Sequence, residues 1–218
     1  GTPLQAGQIY NSNRYWLRDA LMQLGCEVID PGMVRDTPEA TREALHTASA
    51  QADVVITCGG VSVGEEDHVR AAVESMGHID LWQIAMKPGK PLAYGKVNNS
   101  DFIGLPGNPV SAFVTFVLMA QPFLQARMGL PVTSQMAVGQ KMVAGFNWPE
   151  PDRRREFLRA RPARQADGSV VLEIWPNQGS GVMSSVAWAH GLIDVPAGQT
   201  IQAGDTVHYI PFNRLLSD

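Results

Sequence analysis

The seven residues ADVVITC, positions 52–58, constrain the fold more than any other stretch. They are apolar and β-branched on both faces, as a strand covered on both sides must be, whereas a half-wet strand alternates. A loop rich in glycine, hydroxyls and acids follows, GGVSVGEEDH, and then a helical stripe of Val69, Ala72, Val73 and Met76. A buried strand feeding a helix through a short loop implies layers of helix over sheet. The neighbouring sequence repeats the theme. SNRYWLRDALMQLG places Leu17, Ala20, Leu21 and Leu24 on one helical face, and Gly25 stops it. CEVID reads as a short strand. DTPEATREALHTASAQ offers Thr37 as N-cap, Pro38 at the first helical position and an inner stripe of Ala44, Leu45 and Ala48.

Downstream, IDLWQIAM reads as a strand, and LAYGKV and DFIGL as a hairpin through NNS. PGNPVSAFVTFVLMAQPFLQARMG reads as a loop and a long, mostly buried helix. The expectation is an α/β domain over 1–131, a three-layer, doubly wound, mostly parallel sheet of Rossmann-like type. Beyond GLPVTS the helical period fades. REFLRARPA, SVVLEIWP, LIDVPAG and DTVHYIPF are short strands, with ADGS as a hairpin turn. Residues 132–218 therefore predict a small all-β barrel or sandwich.

Composition excludes several functions. The net charge is −4, so no global basic field points to nucleic acid. No apolar run reaches the roughly 20 residues of a membrane span. The two cysteines, Cys26 and Cys58, lack metal-ligand spacing and suit reduced, intracellular usage, with packing as the favoured role. Five histidines are scattered, and neither GxSxG nor a Ser-His-Asp arrangement is visible.

In an open α/β sheet, ligands bind beyond the carboxyl ends of the strands. Three loops are expected there. In the first, Gly59, Gly60 and Gly64 let a ligand approach the main chain, Ser62 adds a hydroxyl, and the next helix start attracts anions. Asp67 either caps that helix or holds a divalent cation against a phosphate. In the second, GLPGNPVSA, Pro106 and Pro109 stiffen a turn about Gly107. Asn108 is an expected N-cap, and a preorganised anion pocket is the competing reading. In the third, MKPGKP, Lys87 and Lys90 are either a solvated pair or two ammonium groups for a phosphate or oxyanion. Asp36 precedes a helix and serves as cap or as catalytic acid.

GQIYNSN, ITCGGVSVGEEDHV, MKPGKP and GLPGNPVSA, in this order and spacing, resemble the molybdopterin molybdenumtransferase family of molybdenum-cofactor biosynthesis, which includes the E domain of gephyrin. RRREFLRAR and NQGSGVMSS resemble its C-terminal barrel more loosely. The resemblance implies an enzyme that takes adenylylated molybdopterin and molybdate, cleaves the adenylate and inserts the metal at the dithiolene, assisted by a divalent cation such as Mg2+. It implies that Gly59, Gly60, Ser62 and Gly64 line the pterin-phosphate or nucleotide site, and that Asp67 holds the cation or orients the attacking group. Lys87 and Lys90 would hold phosphate or molybdate. Pro106, Gly107, Asn108, Pro109 and Ser111 would form the facing rim. Asp36, Arg154 and Ser184 match polar positions of the cleft. It also implies a cytoplasmic homodimer, with a molybdopterin adenylyltransferase as pathway neighbour and no nucleic-acid or membrane partner.

Two departures stand out. Family members carry a strand and an acidic TGDEL-like loop upstream of GQIYNSN, and two further N-terminal domains. The chain therefore reads as a C-terminal fragment with little insertion activity alone. Gln83 occupies a position where some relatives carry lysine. The adenylyltransferase branch and a non-catalytic scaffold module are the alternatives. The former usually has a GGTG-type loop and no β-rich tail; peptide binding without nucleotide affinity would mark the latter. CinA-like proteins share the α/β fold, but the tail argues against them.

Overall fold

The structure is a computed structural model describing residues 11–61, 68–131 and 139–215. ADVVITC forms β1 (Val54–Cys58), and the hairpin forms β4 (Ala93–Val97) and β5 (Ser100–Leu105). With β2 (Gly77–Trp82) they make a four-stranded sheet in the order β1-β5-β4-β2. The class is α/β, but the pairing is more mixed than the sequence suggests. Among the described strands β1–β5 is parallel, whereas β5–β4 and β4–β2 are antiparallel. The tight NNS turn is the reason: a hairpin reverses chain direction inside the sheet, and β4 carries that reversal on to β2. CEVID forms no strand: residues 26–30 have no ladder partner among the described residues.

Helices cover both faces, as the two-sided apolar strand requires. On one side α2 (Pro38–Ser49) and α3 (His68–Met76) pack over Val55 and Phe102 through Leu45, Ala72 and Val73. On the other, α1 (Asn13–Gln23) and the helix from Pro109 meet Ile103 and Leu105 through Leu17, Val110 and Val114. Thr37 caps α2 as expected, its Oγ1 accepting the Ala40 N–H at 3.3 Å.

The long buried helix is α4 (Pro109–Thr115), a π-helical turn (Phe116–Ala120) and α5 (Gln121–Arg127). Pro122 explains the wide turn: it has no N–H for the carbonyl four residues back, and its ring crowds that carbonyl. By length and composition the span Pro109–Arg127 could cross a membrane, but most of it is packed inside the protein.

The second sheet runs β3 (Met86–Lys87), β7 (Arg155–Arg164), β9 (Gly191–Val195), β10 (Thr206–Pro211) and β6 (Gln140–Val143), with β8 (Val170–Ile174) on β7. Two short helices, α6 (Ser184–Trp188) and α7 (Phe212–Leu215), accompany it. Ala144, Leu158, Leu172, Ile193 and Val207 fill its interior. IDLWQIAM is therefore split: its first part is the edge strand β2, and Met86 crosses to pair in parallel with Arg155 of the β-rich part. Phe157, Leu192 and Ile210 join the same core as Val110 and Phe113, so apolar packing is continuous from the helical layer into the second sheet.

Candidate functional site

The loops after β1 and β5 meet at the carboxyl edge of the first sheet. Gly59 donates its N–H to the Leu105 carbonyl at 2.9 Å. A Cβ built on Gly59 would stand 3.8 Å from the Gly107 Cα. Gly59 and Gly60 have φ of 97° and 68°, a region that favours glycine, and a Cβ at Gly60 would overlap Val69 of α3 at 2.4 Å. Glycine suits both positions, and their backbone stays bare where they line the groove.

The GLPGNP turn is braced from two directions. Asn13, the last residue of the GQIYNSN motif and buried at the start of α1, donates Nδ2 to the Gly107 carbonyl at 2.8 Å. Asn108 stands at the N-cap position with Pro109 first in the helix, but its side chain does not cap. It donates Nδ2 to Ser180 Oγ at 2.9 Å, and the Val110 N–H reaches the Ser180 carbonyl at 2.9 Å. The turn is thus clamped to the β-rich part. The KPGKP turn adjoins it, since a Cβ on Gly89 would meet Thr115 Cγ2 at 2.6 Å and the Ser111 carbonyl at 3.8 Å.

These contacts bring the Gly59, Gly107 and Gly89 turns together, but around two recesses rather than one crevice. Gly59, Gly60 and Asp36 line a groove of about 1440 Å³ beside β1, with Thr57, Cys58 and His68. Thr57 Oγ1 is buried there without a hydrogen-bond partner among the described residues. Desolvation by its surroundings pushes the Cys58 thiol up to about 12, which favours the uncharged form, although the residue is exposed at the groove rather than packed in the core. Lys90 and Arg154 line a second cleft of about 880 Å³ between Gln83–Ala85 and Pro151–Arg154. Pro106–Ser111 line neither recess; the turn packs between Gly59 and Gly89, and Ser111 itself is buried. Ser62, Gly64 and Asp67 lie outside the described residues.

Lys87 faces the β-rich part. Its Nζ is 3.1 Å from Asp152 and 2.9 Å from Glu156, and Trp148 Nε1 donates to the other Glu156 oxygen at 3.1 Å. Burial alone would lower the Lys87 pKa, but the bonds to Glu156 and Asp152 outweigh it and hold it above the ordinary lysine value. Asp152 also accepts the Arg154 guanidinium at 3.0 and 2.9 Å and the Arg154 N–H. Arg154 first, then Lys87, therefore hold the Asp152 carboxyl well below the usual carboxylate range. Gln83 has φ 89°, rare for a non-glycine residue. Its N–H bonds the Leu92 carbonyl, and the Ile84 N–H bonds the Lys90 carbonyl, closing the loop that presents Lys90.

Sequence reasoning missed two residues of this rim. Ser180 makes the contact with Asn108, while Ser184 is exposed at the start of α6. Arg159 is fully buried under the 177–185 loop, where Nε bonds Ser185 Oγ at 3.1 Å and NH2 bonds the Gly179 carbonyl at 3.2 Å. No carboxylate pairs with it among the described residues, and burial lowers its pKa to about 10. Asparagine, glycine and serine clustered in NQGSG were the available clue to a functional turn; a buried arginine inside a strand leaves no such trace.

Residues 1–126 match the family model described as a probable molybdopterin binding domain. The chain belongs to this family. Residues 141–212 match the model of the MoeA C-terminal region, domain IV. The family member is 40% identical over 217 residues to the molybdopterin molybdenumtransferase of Haemophilus influenzae, covering 99% of this chain and 54% of that relative. A relative of the same name from Nostoc is 42% identical over 211 residues, covering 94% of this chain and 48% of that protein. The chain thus spans about half the length of these curated relatives. A crystal structure of the Pyrococcus horikosii molybdopterin biosynthesis protein moea superposes with a TM-score of 0.73 at 29% identity, covering 97% of this chain and 50% of that one.

Proposed function

We propose that this molybdopterin-binding domain and its β-rich companion form the anion-handling part of a molybdopterin molybdenumtransferase. The reading is that adenylylated molybdopterin and molybdate are bound, the adenylate is cleaved with release of AMP, and the metal enters the dithiolene. The observation that carries it is the rim: bare Gly59–Gly60 backbone packed on the Gly107 turn, and an adjoining cleft whose Lys90 is exposed and unpaired among the described residues. Adenylate and molybdate are both anionic, and fixed dipoles with ammonium groups stabilise such charge. The β-rich part favours this reading over an adenylyltransferase, because it matches the C-terminal region of the transferase branch.

The bare backbone suits the pterin phosphate or nucleotide. The second cleft suits the smaller oxyanion. In this arrangement Lys87 orders the cleft wall through Asp152 and Glu156, and reaches substrate only by exchanging those partners. A divalent cation would offset phosphate repulsion. Among the described residues no three of His, Cys, Asp and Glu come together, and a cation that bridges to phosphate needs only one or two carboxylates. Its proposed ligand is Asp67, with Asp36 on the wall of the same groove as Gly60. A cytoplasmic homodimer, supplied with adenylate by a molybdopterin adenylyltransferase, belongs to the same proposal; sedimentation of a single monomeric species would remove the dimer.

Calorimetry with molybdate and with AMP tests the reading. Lys90→Ala is expected to weaken molybdate binding by about 1–3 kcal/mol, the worth of a charge-assisted contact. Unchanged affinity would reject the cleft as the oxyanion site.

A further inference from the structure

The cleft lined by Gln83, Lys90 and the segment Pro151–Arg154 has a charge balance that singles out one more residue. Its carboxylate Asp152 and the adjacent buried Glu156 are already engaged. Asp152 takes the Arg154 fork and Lys87, and Glu156 takes Lys87 and Trp148. Two cations remain, Lys90 from the 83–92 loop and Arg153 from the opposing segment. Both are exposed, and neither has an anionic partner among the described residues. Two uncompensated positive charges therefore line a recess of about 880 Å³ in a protein whose net charge is −4. Both face solvent, which screens them from each other, and a doubly charged guest that touches both matches their charge better than a neutral or singly charged one.

Resting on the oxyanion reading above, we propose that Arg153 is a specificity-determining residue that, with Lys90, selects a doubly charged tetrahedral oxyanion over a singly charged one of the same shape. The planar fork of Arg153 can give two parallel N–H bonds to two oxygens of one tetrahedral ion, while Lys90 supplies a point charge. A monoanion meets the same donors but leaves one positive charge uncompensated. Arg154, tied to Asp152 by two side-chain bonds, keeps the segment in place and is not itself the selector.

The test is equilibrium binding of molybdate and of perrhenate, a tetrahedral oxyanion with one charge, to the wild-type protein and to Arg153→Gln, Arg153→Lys and Lys90→Ala, with the thermal midpoint as a folding control. Wild type is expected to prefer molybdate. Arg153→Gln is expected to lose about tenfold in molybdate affinity, the factor of one charge-assisted contact, and to lose distinctly less toward perrhenate, for which removing the uncompensated charge offsets the lost bonds. Arg153→Lys should recover part of the preference. If Arg153→Gln binds molybdate as wild type while Lys90→Ala does not, the role of Arg153 is rejected and the cleft stands. If neither variant changes molybdate binding, the cleft reading and the role of Arg153 both fail. Equal losses toward both anions would reject the selectivity.

Discussion

Lys87 is the residue where chemistry and architecture compete. Its ammonium faces Glu156, which is almost fully buried, and Asp152, while its own side chain is 41% exposed. Lys87→Ala would leave the Glu156 carboxylate with only Trp148. The expected loss is about 1–2 kcal/mol of stability, below the roughly 3–5 of a fully buried pair because solvent reaches the lysine. Glu156→Gln in the same chain should recover part of it, measured by denaturant unfolding. Asp152 gives a pH signature. Its carboxyl, held low first by Arg154, binds protons less readily in the folded than in the unfolded chain. Its contribution is therefore present above the unfolded value near pH 4 and fades as pH falls toward the folded one. Asp152→Asn should flatten the acid side of the stability profile; an unaltered slope there would contradict the assignment.

Individual elements show what could be read from the sequence and what could not. β1, the β4–β5 hairpin, α2 with its Thr37 cap and the strands β7 to β10 follow from local pattern, because each is dictated by its own residues. CEVID forms no strand because strand propensity needs a ladder partner and none stands beside it among the described residues, β1 pairing on its other side with β5. The side chain of Asn108 was misassigned because capping is a local rule, whereas Ser180 lies 72 residues away. The convergence of Gly59 on Gly107 was legible from the strand-end rule; the division into two recesses was not, since it depends on where the second sheet docks. Gly95 illustrates a middle case. A lone glycine in a strand suggests a bulge or close approach, and β2 indeed shifts register beside it, between Ile79 and Leu81. A Cβ on Gly95 would lie 2.1 Å from the His78 carbonyl oxygen. Gly95→Ala should cost about 1–3 kcal/mol, as overpacking against backbone does, and raise amide exchange in β2.

At the scale of the whole molecule, the sequence marks a change of character near residue 131, but the packing runs across it. Phe157 of the second sheet shares a core with Val110 and Phe113 of the helical layer. Phe157→Ala should destabilise the protein by about 3–5 kcal/mol, and probes in both parts should report the same shift. Calorimetry is expected to give a single transition; two separable transitions would show that the parts fold independently.

Met86 and Lys87 are two residues of the α/β half hydrogen-bonded into the other half's sheet, immediately before the turn that presents Lys90. That turn is consequently sewn to both bodies. Any tilt of one against the other must drag the ammonium at its tip, so the width of the cleft and the position of its charge are a single mechanical coordinate.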